Sequence, residues 1–306
     1  MLAAFLTTIF FSLSAIFATR SIRLVGTTGA NLGRLVIAFV LLGAYAHSVG
    51  RGLSGAGRTW FLLSGVIGMG LGDLALFAAL PRLGSRLSVL MAQCVAVPIA
   101  MLAEWSWLHT SLAVGEIALS TVILVGVAVA LAPSRRLPPK VAVRASGFVF
   151  GFLAAAGQGL GAVVSRRAYE VTAAAGEAID GISAAYQRIA GGLLISATYF
   201  LVRHALSRRA PQPAVAADAA ARGNYRRFGV VGLNALCGPV LGVSCYQWAL
   251  ATTPSGVVLP IVATTPLVIV PLSAWLEGER PGVRSVLGGV IAVAGVAALA
   301  LVRLPG

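Results

Sequence analysis

Apolar residues run through this chain in blocks of spanning length, and the polar residues are confined to short breaks between them. Runs of 17 to 25 residues bounded by charge or turn residues predict ten membrane-crossing helices. Five lie near Leu2–Ala18, Gly29–Val49, Trp60–Leu80, Leu87–Leu108 and Leu112–Ala132. Five more lie near Ser146–Ser165, Gly181–Val202, Phe228–Leu250, Gly256–Leu276 and Val283–Val302. Between the two sets, residues 133–145 carry four basic residues and three prolines, which predicts a linker. The expected organisation is a first half at 1–132, the linker, and a second half at 146–306.

Composition excludes a soluble domain. Only 10% of the 306 residues are charged, against about 25% in a typical soluble protein. The mean hydropathy of +0.92 agrees. Ten helices of about 20 residues leave too little chain for an extramembrane domain. The first apolar run starts at Leu2 without a basic segment before it and is expected to stay as the first span. Cys94, Cys237 and Cys245 sit inside apolar runs, where a thiol behaves as a small hydrophobe.

The halves look alike. Pro98 and Glu104 share a Pro-x5-Glu spacing with Pro271 and Glu277, and Val125-Gly126-Val127-Ala128 matches Ala294-Gly295-Val296-Ala297. Arg34 and Arg188 fall early in the second and seventh spans. A repeat with an odd number of helices inserts its second copy upside down, which is the inverted-repeat logic of secondary transporters. The fold class expected is therefore all-α integral membrane, ten transmembrane helices in two inverted five-helix repeats.

The stretch from Pro266 through Pro271, Glu277, Glu279 and Arg280 to Gly288, Gly289 and Gly295 resembles the helix 9 to helix 10 signature of the drug/metabolite transporter superfamily. More specifically it is similar to the ten-helix EamA-type members, and the weaker copy around Pro98 and Glu104 fits their first repeat. The resemblance implies a transporter of small solutes, with a central cavity formed mainly by helices 1, 3, 4, 6, 8 and 9. No cofactor and no resident metal are expected from the residues.

A net charge of +14 could signal nucleic acid, but the arginines alternate with apolar runs instead of forming a face. They set orientation instead. Sixteen Lys and Arg follow the odd-numbered spans and five lie on the other side. The excess belongs in the cytoplasm, which places both termini outside it, whereas the family resemblance implies cytoplasmic termini. The expected location is the cell (inner) membrane, as a multi-pass protein, monomer or homodimer.

Charges inside spans are costly and mark function or a structural pair. Arg34 lies about 7 Å into its span and Asp73 about 10 Å, measured from the same surface, so they can pair. Asp73 is the candidate for proton coupling. In the second half the position aligned with Asp73 is Val243, so Arg188 has no evident acid and is a candidate for holding an anionic group such as a carboxylate. Tyr246, Gln247 and Trp248, with Gln93 and Gln158, are candidate cavity-wall groups, although interfacial belts and helix-to-helix bonding use the same residue types. Ser12, Ser14, Asn234 and Thr264 are further polar groups at membrane depth. Glu104 and Glu277 fall near span ends and are expected to cap the turn to the next helix. Pro98, Pro260, Pro266 and Pro271 are candidate helix kinks. Gly68 with Gly72, Gly157 with Gly161, and Gly238 with Gly242 are GxxxG pairs for close packing. The run Gly68-Met-Gly70-Leu-Gly72 follows no strand and is not a nucleotide loop.

The substrate class expected is a small polar metabolite, such as an amino acid, with efflux the expected direction. The alternative is an intramembrane enzyme acting on a lipid-linked substrate, for which no catalytic motif is present.

Overall fold

The computed structural model describes residues 1–132, 142–207, 220–269 and 283–302, and these residues are almost entirely helical. Among the described residues nine helices are long and apolar enough to cross a membrane: α1 (Leu2–Ile22), α2 (Leu24–Ser48), α3 (Arg58–Leu83), α4 (Leu87–Leu108), α5 (Val114–Leu131), α6 (Ala145–Ala174), α7 (Gly181–Leu206), α8 (Phe228–Thr252) and α10 (Val283–Val302). A shorter apolar helix, α9 (Ser255–Ile269), covers the described part of the ninth predicted span. Pro271 and Glu277 lie outside the described residues. Outward side chains such as Leu102, Leu194, Leu201, Leu287 and Val290 are apolar and exposed, as a lipid-facing surface requires.

Two predicted boundaries move. The expected loop between the first spans is helical except at Gly26, whose φ of 74° turns the chain near the start of α2. The sixth span does not stop at Ser165 but runs on to Ala174. Arg166 and Arg167 look like a boundary, yet both are neutralised within the fold, by Glu104 and Glu170 respectively, each at 3.2 Å.

Small residues bring α3, α6 and α7 into backbone contact. Ser64, Gly68 and Gly72 on α3 face Ser165, Gly161 and Gly157 on α6, in antiparallel order. A methyl group on Gly72 or Gly157 would press on the other helix's backbone. On the next face of α3, a Cβ at Gly65 would overlap the carbonyl of Arg188, and one at Gly191 would overlap that of Leu62. Elsewhere α5 and α10 cross at Gly126 and Gly288, where an added Cβ at either would fall 2.5 Å from a backbone atom of the partner helix.

Among the described residues α3, α4, α8 and α9 are irregular in mid-span. π-helical turns occupy Val66–Gly72 in α3 and Leu236–Gly242 in α8, immediately before Asp73 and Val243, the two positions that align in the sequence. The helix within α4 breaks after Cys94 and that within α9 after Val262, each four residues before a proline, Pro98 and Pro266. This is the carbonyl a proline ring displaces. In α9 the freed carbonyls find hydroxyl donors. Thr265 Oγ1 donates to the Val262 carbonyl at 2.6 Å, and Ser120 Oγ donates at 3.3 Å to the Gly256 carbonyl that Pro260 leaves free. From α1, Thr8 and Ser12 add bonds to the carbonyls of Ile261 and Thr265. Broken helices at membrane depth need this kind of compensation.

Glu104 is corrected by the structure. It is buried and does not cap the turn to the next helix. Its Oε2 accepts from the backbone N–H of Ser255 at 2.8 Å and of Gly256 at 3.3 Å, capping α9 from the other half of the chain, while Oε1 meets Arg166. Arg166 in turn donates to the Leu250 carbonyl at 2.8 Å. Glu104→Gln leaves the Arg166 charge uncompensated and is expected to lower stability by about 3–5 kcal/mol. Adding Arg166→Gln should recover part of that loss in a double-mutant cycle read by thermal unfolding in detergent. Additive losses would show that the two side chains do not interact.

Candidate functional site

A cavity of about 300 Å³ lies among the helices, lined by all of them except α5 and α10, with α6 and α7 each contributing a single described residue. It includes the six helices implied by the family resemblance, with α2 and α7 added. Six of the eight polar candidates line it: Arg34, Asp73, Gln93, Gln158, Arg188 and Tyr246. So do Pro266 and Thr265 at the α9 break, and Pro239 in the π-helical turn of α8. Apolar walls come from Phe11, Ile22, Leu76, Phe77, Val89 and Ile269.

Arg34 and Asp73 form an ion pair, Nη2 to Oδ2 at 3.0 Å, with each side chain about one-fifth exposed toward the cavity. Nε of Arg34 also donates to Asn31 Oδ1 at 3.0 Å, and Asn31 contacts Ser196 on α7. The pair thus joins α2, α3 and α7.

Arg188 is only 3% exposed and finds a hydroxyl where an acid would be expected. Its Nη1 donates to Ser165 Oγ at 3.0 Å. Ser165 also accepts from Gln247 Nε2 at 3.0 Å and contacts Ser64 Oγ at 2.7 Å. Ser64 donates to the Gly161 carbonyl at 2.6 Å, so the Ser165 hydrogen must point to Ser64. The hydroxyl of Ser165 is then fully used: two bonds accepted and one donated. Nε of Arg188 is buried without a partner among the described residues, as is the hydroxyl of Tyr246, whose ring lies 5.4 Å from the guanidinium carbon. Nη2 lies over Gly68, where a methyl group would collide with it. Glu170, Glu177 and Asp180 do not reach it. They bind Arg167, Arg51 and the first turn of α7.

Gln247 and Trp248 lie elsewhere. Gln247 is fully buried behind the cavity on Ser165, and Trp248 is half exposed on the outer surface. Pro98 is exposed on the outside of α4, while Pro260 is buried in α9. Among the other polar groups, Ser14 donates to Asn234 Oδ1 at 2.8 Å at the cavity wall. Ser12 and Thr264 bond to backbone carbonyls. Ser64, Ser165, Asn31 and Arg166 were not singled out from the sequence. The recurrence of small residues every four positions, 64-68-72 and 157-161-165, was the signal for the two serines.

The two ends of the cavity differ. A second cavity of about 710 Å³ shares Thr27, Asn31 and Phe77 with the first and continues to Arg82, Gly84 and Arg203, at the Arg-rich ends of α3 and α7. The opposite end is tied shut. Gln187 Nε2 holds the carbonyls of Gly52 and Ser54 at 3.0 and 2.9 Å, Arg51 pairs with Glu177, and Trp60 packs on Trp107. The Glu104 and Arg166 network lies at the same end. Among the described residues no three His, Cys, Asp or Glu side chains gather as metal ligands.

Three comparisons with known proteins bear on this arrangement. No curated protein matches the sequence. A solved crystal structure, described only as that of a protein, superposes with a TM-score of 0.68 at 18% identity, covering 98% of this chain and 96% of its own. That likeness speaks to fold alone. The sequence model of the EamA-like transporter family matches residues 145–301, just over half of the chain. With its membrane helices and its match to the family model, this chain belongs to the EamA-like transporter family.

Proposed function

We propose that this protein is a secondary transporter that moves small polar metabolites out of the cell by alternating access, with the halves 1–132 and 146–306 rocking about the cavity. The observation that carries this reading is the cavity itself: a solute-sized space at membrane depth, lined by an ion pair and an unpaired arginine, continued at one end and tied shut at the other. Small-ligand sites are concave and mostly apolar with a few placed polar groups, as here. The π-helical turns of α3 and α8 and the breaks in α4 and α9 supply places for helices to bend. The charge count supports a cytoplasmic Arg-rich end, with the cavity facing inward, ready to load for efflux.

Purified protein in liposomes tests the activity. Labelled metabolites should cross unchanged and saturably; absence of protein-dependent flux, or appearance of a chemically altered product, contradicts it. Orientation is tested separately. A reporter fused after Gly306 should behave as external, and a cysteine in the Arg-rich loop after α7 should resist impermeant reagents on whole cells. The reverse pattern would assign the Arg-rich end to the outside.

Asp73 is bound by Arg34, and we read the pair as structural. Asp73→Asn should destabilise on the order of 3 kcal/mol, and Arg34→Gln added to it should restore most of the loss. The double variant should retain any pH-driven flux in liposomes. Loss of pH dependence in a stably folded double variant would assign Asp73 to coupling instead.

A further inference from the structure

Charge accounting around the cavity narrows the solute. No described Asp or Glu forms a salt bridge with Arg188, although the charge of Asp73 acts on it through space. Asp73 is held by Arg34, Glu104 by Arg166, Glu170 by Arg167 and Glu177 by Arg51. Glu116 bonds the backbone N–H of Ala113, and Asp180 caps α7. Among the described residues the cavity wall therefore carries Arg34, Asp73 and Arg188, a net charge of +1, in a medium where an uncompensated charge is expensive. Ser165 gives Arg188 one neutral acceptor and has no capacity for more. Among the described residues the buried Nε–H remains without an acceptor and the hydroxyl of Tyr246 without a partner; the Tyr246 ring lies 5.4 Å from the guanidinium carbon, and both residues line the cavity. A carboxylate set against Nε and the Tyr246 hydroxyl would accept both donors and bring the wall to neutrality.

Resting on the transporter reading above, we propose that the solute is a small monocarboxylate with an apolar body, its carboxylate held by Arg188 and Tyr246 and its body against Phe11, Leu76, Phe77 and Val89. A zwitterionic amino acid fits less well. Its ammonium would have to compete with Arg34 for Asp73 or lie as a second positive charge near Arg188, and the wall would stay at +1. A phosphate monoester, near −2 at neutral pH, would overshoot the single charge available. Ser165 and Gln247 act as positioning residues: they hold the guanidinium over Gly68 without neutralising it.

The test uses the full chain in detergent and a ladder of probes sharing one body: 3-phenylpropionate, 3-phenylpropanamide, 3-phenylpropylamine and phenylalanine, with benzoate and propionate as shorter acids. Titrations followed by thermal shift should show concentration-dependent stabilisation by the acids and little by the amide, the amine or the zwitterion. Arg188→Lys, which keeps the charge and loses the planar fork, should weaken acid binding about tenfold or more. Tyr246→Phe should weaken it less and leave the acid-over-amide ranking intact. The wild-type ranking decides the matter even where a variant fails to fold. Failure of every acid to bind at millimolar concentration, or equal binding of acid and amide, overturns the proposal. Flux of the same probes into liposomes separates the two claims. An acid that binds but never crosses leaves the anion site standing and removes the transporter reading, while saturable flux of the amine with no acid binding does the reverse.

Discussion

The arrangement depends on how closely α3, α6 and α7 approach one another. In lipid there is no hydrophobic drive between helices, so association rests on packing and on hydrogen bonds between backbones that can meet. Here Ser64, Gly68 and Gly72 lie against Ser165, Gly161 and Gly157, and Gly65 and Gly191 remove the side chains that would separate α3 from α7. With no side chain at Gly68, the space is filled by the guanidinium of Arg188. The same contact delivers the hydroxyls of Ser64 and Ser165 to that guanidinium, in a chain ending on the Gly161 carbonyl. Packing and electrostatics are thus one device: the small residues that permit the approach also place the charge and its single neutral partner.

Around that centre, each other charge in a described span is matched to an opposite one or kept near the surface. Arg34 has Asp73 and Arg166 has Glu104, and each pair ties together helices that are distant in sequence. Arg34 with Asp73 lines the cavity. Glu104 with Arg166 binds the N-terminus of α9 to α4, α6 and the end of α8, at the end away from the vestibule. An alternating-access cycle that opens that end has to loosen these contacts, together with those of Gln187 on the loop carbonyls. The irregular backbone follows the same economy, since the carbonyls freed by Pro260 and Pro266 are met by Ser120 and Thr265.

Much of this was readable in the sequence. Spanning runs of apolar residues located the helices, because lipid imposes a length and a composition on them. The pairing of Arg34 with Asp73 followed from depth, and Arg188 stood out because the aligned position in α8 is Val243. What escaped notice did so for physical reasons. Arg166 and Arg167 look like the end of a span until their acids are seen, and Glu104 looks superficial until α9 arrives from 151 residues away. Gln247 and Trp248 are neighbours of Tyr246 in sequence, but a helix turns about 100° per residue, so Tyr246 reaches the cavity while Trp248 meets lipid. Ser165 was invisible as a site because serine in a membrane helix usually bonds its own backbone.

The central claim is that Arg188 is the charge on which a solute's single anionic group is set. Diffraction from crystals grown with 4-bromobenzoate tests it most directly, since bromine gives an anomalous signal. The account predicts one peak inside the cavity, near the apolar wall of Phe77 and Val89, with the carboxylate about 3 Å from Arg188 Nε and from the Tyr246 hydroxyl. A peak confined to the vestibule at Arg82 and Arg203, or a carboxylate bound to Arg34 with Asp73 displaced, would contradict it.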